Sequence, residues 1–165
     1  MITVVVDDLA SLPVDAVLRP AGESLEPLAA AAARLDERAG QRFADQHRVS
    51  APLEAGAAVV TGAGDLVAPF VIHVVIRDAA SPVALTTVRR ALVSAWQRAT
   101  EWGLARIAAP LVGAEGGQLS LAESATLLVE TFPRPGAADS PAELCIVVER
   151  QEERDAVEAI VRRTA

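Results

Sequence analysis

The chain has 165 residues, of which 52% are hydrophobic, enough for a buried core in one domain spanning residues 1–165. Its formal net charge is −7 and no segment is strongly basic, so we expect no nucleic-acid partner. The sequence contains no lysine, asparagine or tyrosine, which excludes any chemistry that requires one of these side chains.

The cysteine and histidine content further restricts the function. A single cysteine, Cys145, excludes an internal disulfide and favours a reducing compartment. No apolar stretch is long enough to span a membrane, so we expect a cytoplasmic protein without a membrane partner. His47 and His73 are far from Cys145 in the sequence, so we expect no metal site and no cofactor.

Strand and helix patterns alternate along the chain. Apolar, β-branched runs predict strands at residues 2–6, 16–19, 57–61, 69–76, 107–112 and 143–148. Helical patterns cover residues 27–38, 41–48, 81–102, 121–132 and 152–163. This order predicts a three-layer α/β/α fold around a mixed, largely parallel sheet. Ligands of such sheets bind beyond the carboxyl ends of the strands, so we expect the loops at 19–26 and 113–120 to lie side by side.

A glycine-containing loop follows the predicted strand 107–112. Its three glycines are Gly113, Gly116 and Gly117. Glycine permits positive φ and lets a ligand approach the backbone. Ser120 and Glu123 form a capping box that predicts a helix from Leu121. A glycine loop before a helix N-terminus is typical of an anion site, although the loop lacks the Lys-Ser/Thr of a P-loop.

Four segments also carry recognisable motifs. They are Asp7-Asp8-Leu9 with Val14-Asp15-Ala16-Val17, Gly-Ala-Ala-Val-Val-Thr at 56–61, Val-Ile-His-Val-Val at 71–75 and Ile-Ala-Ala-Pro-Leu-Val at 107–112. In order and spacing these segments resemble the macro domain, the fold that binds ADP-ribose and processes ADP-ribose 1″-phosphate. The resemblance covers nearly the whole chain and implies the same α/β/α architecture.

The resemblance also implies a set of ligand-binding residues. Asp8 matches the aspartate that accepts the adenine amino group in the family, although Asp8 could equally be a turn residue. The full set expected to bind the ligand is Asp8, Leu9, Arg19, Ala21, Gly22, Val112, Gly113, Ala114, Glu115, Gly116 and Gly117.

The chain departs from the family at the positions that the family uses to hold the distal ribose of the ligand. The family's Asn-Ala-Ala-Asn is Arg19-Pro20-Ala21-Gly22, which removes the asparagine that contacts the distal ribose. An alanine tract replaces the glycine run that follows. We therefore expect no catalytic residue at these positions, and we interpret His73 as a hydrogen-bonded core residue, His47 as a surface residue and Cys145 as inert.

Negative charge in the two loops opposes the binding of a diphosphate. Glu23, Glu26 and Glu115 all lie there, and a carboxylate beside an anion in a cleft is unfavourable. Arg19 is the obvious compensating cation, with Arg77 a more distant one.

Three hypotheses for function remain. The first is a divergent macro-type module that binds ADP-ribose or a related adenine nucleotide or phosphate ligand, without hydrolase activity. The second is a degenerate macro fold that serves as an interaction or structural domain, whose protein partner the sequence does not identify. The third, disfavoured by the missing asparagine and glycine run, is a hydrolase of ADP-ribosyl bonds or of ADP-ribose 1″-phosphate.

Overall fold

Six strands form one sheet in the computed structural model, which describes residues 1–115, 118–136 and 140–164. The strands are β1 (Ile2–Val6), β2 (Ala16–Gly22), β3 (Ala58–Gly62), β4 (Phe70–Arg77), β5 (Arg106–Ala109) and β6 (Glu143–Val148). The helices are α1 (Ala30–Ala39), α2 (Gln41–Gln46), α3 (Leu85–Trp102), α4 (Leu121–Thr131) and α5 (Gln151–Thr164). A short 3-10 turn at Leu9–Ser11 follows β1.

The sheet is mixed and largely parallel, as predicted. The strand order is β1-β6-β5-β2-β4-β3. Every neighbouring pair is parallel except β3 and β4, which are antiparallel. The central strand β2 has all seven residues buried, which explains its unbroken apolar sequence at 16–18.

Helices cover both faces of the sheet, which confirms the three-layer prediction. Leu18 and Ile72 face the layer that contains α3, α4 and α5. Val17 and Val71, one residue earlier on each strand, face α1 and α2. Alternate side chains of the central strands thus supply two separate cores.

The second strand is longer and the first helix shorter than predicted. The chain turns back along β2, so that the amide of Gly22 donates to the carbonyl of Glu26 at 3.0 Å. Pro27 then forms an antiparallel bridge with Ala21. Because Pro27 is held in this bridge, α1 begins at Ala30 and not at Pro27.

Local interactions determine where the remaining strands and helices begin and end. Strand β5 ends at Ala109 rather than at residue 112, because Pro110 has no N–H to continue the ladder. Helix α3 begins at Leu85 rather than at residue 81, because Asp78 accepts backbone hydrogen bonds that form a turn there. Helix α4 begins at Leu121 with the predicted capping box.

Arg19 has a different role from the one we expected. Its side chain is fully buried and points toward α1, where it makes two hydrogen bonds of 2.7 Å to the carboxylate of Asp36. The guanidinium also lies 5.8 Å from the centre of the Phe43 ring. Arg19 therefore does not supply the compensating charge for a ligand phosphate, because its charge is already paired inside the protein.

The Arg19 network also includes the predicted core histidine. His73 is fully buried, and its Nδ1 lies 3.2 Å from Nη1 of Arg19. Because arginine can only donate, Nδ1 accepts, and Nε2–H donates to the hydroxyl of Thr61 at 2.8 Å. His47 is half-buried rather than on the surface, with its ring centre 5.5 Å from that of His73.

This arrangement holds both imidazoles in the neutral form. Burial, followed by the nearby charge of Arg19, places the pKa of His73 well below its usual value. The same two causes lower the pKa of His47, although Asp36 partly opposes them. Protonation in the folded state would add positive charge beside a buried guanidinium.

We predict that the protein loses stability when the pH falls below about 6.5. In that range the unfolded chain takes up protons at both histidines more readily than the folded chain does, above all at His73, so the free energy of unfolding decreases as the pH decreases. For His73 alone the slope approaches about 1.4 kcal/mol per pH unit, until its folded-state pKa is reached. Urea unfolding at several pH values between 7.5 and 5.5 measures the slope.

The matched control is His73→Gln, which keeps a polar side chain but removes the titration. The slope of this variant should be shallower than that of the wild type, whatever its absolute stability. An equal slope in both proteins would show that the histidine does not carry the effect.

Candidate functional site

A cleft of about 270 Å³ opens at the carboxyl ends of three neighbouring strands. Asp7 and Asp8 follow β1, Pro110 follows β5, and Glu149 follows β6. Helix α1 forms the opposite wall through Ala31 and Arg34. The remaining lining residues are Leu9, Leu111, Ala114, Glu115, Leu121, Val147, Val148 and Glu153. Parallel neighbours in the sheet bring these loops together, as expected for a ligand site in an α/β fold.

A second, much smaller pocket of about 40 Å³ adjoins the cleft. It lies beyond β2, β4 and β5, with Pro20 and Leu28 on one side and Gly113 and Gln118 on the other. The loops after β2 and β5 therefore lie side by side, which confirms the predicted juxtaposition. Glu115 lines both spaces, together with Ala31, Pro110 and Leu111.

Asp8 is a turn residue that also lines the cleft. Its Oδ1 accepts from the amide of Ala10 at 3.0 Å and caps the turn at Leu9–Ser11. Its Oδ2 accepts from Arg38 of α1 at 2.9 Å. The carboxylate is half exposed and lines the cleft, so it remains accessible to a ligand.

Glu115 closes the other end of the cleft through a backbone contact. Its carboxylate accepts from the amide of Ala30, the first residue of α1, at 2.9 Å. The N-cap residue Ala29 has no side chain that could do this, so Glu115 satisfies one of the unpaired donors of the helix from a distant loop.

The other two loop carboxylates do not face the cleft. Glu23 accepts from the amide of Ala79 at 3.1 Å. Glu26 accepts from the amide of Ser24 at 3.1 Å, and its carboxylate covers Gly22 so closely that a Cβ at Gly22 would overlap it. The expectation that three carboxylates oppose a diphosphate is therefore corrected, because Glu115 alone of the three lines the cleft.

The charge of the cleft nevertheless remains strongly negative. Its described lining includes one cation, Arg34, whose guanidinium pairs with Glu149 across the opening. The lining carboxylates are Asp7, Asp8, Glu115, Glu149 and Glu153. Three of these carboxylates have an arginine partner, since Asp8 pairs with Arg38, Glu149 with Arg34 and Glu153 with Arg150. Five carboxylates against three arginines leave a negative local field that opposes anionic ligands.

The comparison with known proteins decides the family. Residues 19–128 match the model of the Macro domain family. The chain belongs to the macro domain family. The fold agrees, because a variant of the Oceanobacillus iheyensis macrodomain superposes with a TM-score of 0.81 at 15% identity, over 97% of this chain and 90% of that one.

Two further solved structures are similar to this macro domain. The Trypanosoma brucei macrodomain in complex with ADP-ribose has a TM-score of 0.83 at 18% identity, over 97% of this chain and 68% of that one. The same macrodomain in complex with ADP has a TM-score of 0.84 at 17% identity, with the same coverage.

The relatives by sequence are uncharacterized proteins. One from Aeropyrum pernix is 32% identical over 126 residues, which are 76% of this chain and 67% of that protein. One from Mycobacterium tuberculosis is 28% identical over 132 residues, which are 79% of this chain and 37% of that protein. The macro domain thus spans well under half of the mycobacterial relative.

The predicted site residues fall into three groups. Asp8, Leu9, Ala114 and Glu115 line the cleft, and Gly113 lines the small pocket with Glu115. Four others are buried in or beside the strands, namely Arg19, Ala21, Gly22 and Val112. Gly116 and Gly117 lie outside the described residues.

Sequence reasoning missed the residues that come from distant elements. Arg34 lies on the exposed side of an alanine-rich helix, and Glu149 follows the last strand. The position of Glu149 depends on β6 inserting between β1 and β5, which no local pattern reveals. The signal that could have indicated Arg34 is its position as the first charged residue after the alanine tract.

Three further observations concern metal binding, membrane crossing and the cysteine of this macro domain. Within the described ranges, no group of histidine, cysteine and carboxylate residues could hold a metal ion, and no helix is long and apolar enough to cross a membrane. Cys145 is half-buried at the amino ends of the strands, away from the cleft, and burial raises the pKa of its thiol. A raised pKa disfavours the thiolate that nucleophilic chemistry requires.

Proposed function

We propose that this macro domain binds the adenosine part of ADP-ribose, or of a related adenine nucleotide, in the cleft beside Asp8 and does not hydrolyse its ligand. The observation that carries the proposal is the cleft itself, which lies at the carboxyl ends of the strands with an accessible carboxylate at its edge. Family membership supports the ligand class, because a Trypanosoma brucei macrodomain of the same fold is known in complex with ADP-ribose.

Asp8 is the residue that we assign to the adenine. A carboxylate accepts hydrogen bonds only, and the exocyclic amine of adenine is a donor. Asp8 is already fixed in position by the amide of Ala10 and by Arg38, so little side-chain entropy is lost on binding. The acidic lining also tolerates the uncharged adenosine part better than it tolerates the phosphates.

The proposal that the ligand is not hydrolysed rests on the small pocket that adjoins the cleft, and on Gly22 and His73. The small pocket, at about 40 Å³, holds a few water molecules rather than a sugar. Gly22 stands where the family has an asparagine, and it is covered by the Glu26 carboxylate. His73 is buried and engaged with Arg19 and Thr61, so it is not available as a general base.

The alternative is a macro fold that serves as an interaction domain without a nucleotide. The negative lining of the cleft favours it, because a diphosphate would enter a field of its own sign. A thermal-shift screen with adenosine, AMP, ADP-ribose and NAD separates the two functions. A ligand present at a hundred times its dissociation constant should add about 2.7 kcal/mol of stability, and no shift with any of them would favour the interaction domain.

We predict that Asp8→Ala weakens the binding of adenine ligands about tenfold or more. The physical reason is the loss of a charge-assisted hydrogen bond, which contributes roughly 1.5–3 kcal/mol. Calorimetric titration with whichever ligand of the screen binds tightest measures the effect.

Arg38→Gln is the matched control for Asp8→Ala. It breaks the same ion pair but leaves the carboxylate free, so affinity should be unchanged or higher. An equal loss of affinity in both variants would assign the effect to the Asp8–Arg38 pair and not to contact with adenine.

We predict that the purified protein releases no ADP-ribose from a modified protein and does not dephosphorylate ADP-ribose 1″-phosphate. Both reactions require a held and oriented distal ribose, and positioning supplies much of such a rate. Product release followed by chromatography, against a no-enzyme control and an active macrodomain, measures this. Turnover that Glu115→Gln abolishes would contradict the proposal and make that carboxylate a catalytic base.

A further inference from the structure

We propose that Glu115 is a built-in substitute for a ligand phosphate, and that the cleft therefore prefers an adenine nucleoside to the corresponding nucleotide. This inference rests on the proposed function, since it assumes an adenine ligand beside Asp8. It goes further by naming the ligand class and the residue that selects it.

The first observation is the contact that Glu115 makes. Its carboxylate is 2.9 Å from the amide nitrogen of Ala30, at the N-terminus of α1. This N-terminus has no side-chain cap of its own and no acidic residue in its first turn. Helix α4, by contrast, is capped locally by Ser120 and Glu123. The carboxylate thus satisfies a donor that in an open cleft would face the ligand.

The second observation is where Glu115 lies relative to the two cavities. Four residues line both the cleft of about 270 Å³ and the pocket of about 40 Å³, namely Ala31, Pro110, Leu111 and Glu115. Glu115 is the charged one of the four, so a ligand that extends from Asp8 toward the pocket meets its carboxylate. A phosphate at this point would have to displace the carboxylate from the Ala30 amide or lie beside it. Displacement exchanges one anion for another, so the gain from the new hydrogen bond is offset by the one that is lost.

The third observation is that no unpaired cation lines the described part of the cleft itself to offset the phosphate charge. Arg34 is the cation that lines the described part of the cleft, and it pairs with Glu149. Arg19 is buried on the other side of α1 and pairs with Asp36. Arg77 lines only the small pocket beyond Glu115. A phosphate on the cleft side of Glu115 is therefore repelled without an unpaired cation in the cleft lining to compensate it, whereas a nucleoside is not.

The test is calorimetric titration of the wild type and three variants with adenosine, AMP and ADP-ribose. Glu115→Ala vacates the Ala30 amide, and Glu115→Gln removes the charge but keeps a side-chain acceptor. Glu153→Gln is the control, because it removes one charge from the same cleft without touching Ala30. Melting temperatures of all four proteins check that each variant is folded.

We expect the wild type to bind adenosine at least as tightly as AMP or ADP-ribose. Glu115→Ala should improve the binding of both phosphate ligands by about tenfold or more and change adenosine binding by less than about twofold. Glu115→Gln should lie between the wild type and Glu115→Ala, and the gain should shrink as salt is raised. Glu153→Gln should leave the order of affinities unchanged.

Inorganic pyrophosphate provides a readout that does not need an adenine ligand. Glu115→Ala should bind it and the wild type should not. If no adenine compound binds any variant, the proposed function is wrong, and pyrophosphate binding by Glu115→Ala would still support Glu115 as the substitute anion. If adenine ligands bind, but ADP-ribose is preferred by the wild type and Glu115→Ala brings no gain, the proposed function stands and this inference is overturned.

Discussion

The buried guanidinium of Arg19 is the constraint on which the cleft depends. A fully buried arginine needs its charge neutralised, and Asp36 of α1 does so with two hydrogen bonds of 2.7 Å. Removing one partner of such a pair costs about 3–5 kcal/mol, because the other charge is left unpaired in the interior. The pair therefore fixes α1 against β2. Since α1 also carries the Ala30 amide and Arg34, the same interaction sets the distance between the two walls of the cleft.

The polar groups of the cleft are largely satisfied by the protein itself. Asp8 is held by a backbone amide and by Arg38, Arg34 by Glu149, and the N-terminus of α1 by Glu115. A ligand gains little from the Ala30 amide, because its single N–H must exchange the Glu115 hydrogen bond for another. The Asp8 carboxylate differs, because its oxygens can accept a further hydrogen bond while they keep those from Ala10 and Arg38. Selectivity in such a site depends on which of these exchanges is favourable, and the negative charge of the lining makes exchange with an anion the least favourable.

Much of the site could be predicted from the sequence where it depends on local pattern. The capping box of α4 and the glycine at 113 placed the second loop correctly, although the preceding strand, predicted at 107–112, ends at Ala109. Asp8 was identified as a possible turn residue, which the structure confirms, and it also lines the cleft. Its contact with adenine stays a prediction. Arg19 was misjudged because an arginine at the end of an apolar run is usually exposed. Its burial depends on Asp36, which lies 17 residues further along the chain.

The sequence by itself determined the fold class and the family, because hydrophobic periodicity and short motifs are properties of neighbouring residues. Only the tertiary structure decided which charges meet. Glu115 and Ala30 are 85 residues apart and Arg34 and Glu149 are 115 apart, and both pairs form because the sheet places their elements side by side. The direction of a long, charged side chain depends on such partners rather than on its neighbours in sequence. The electrostatic character of the cleft is therefore a property of the fold.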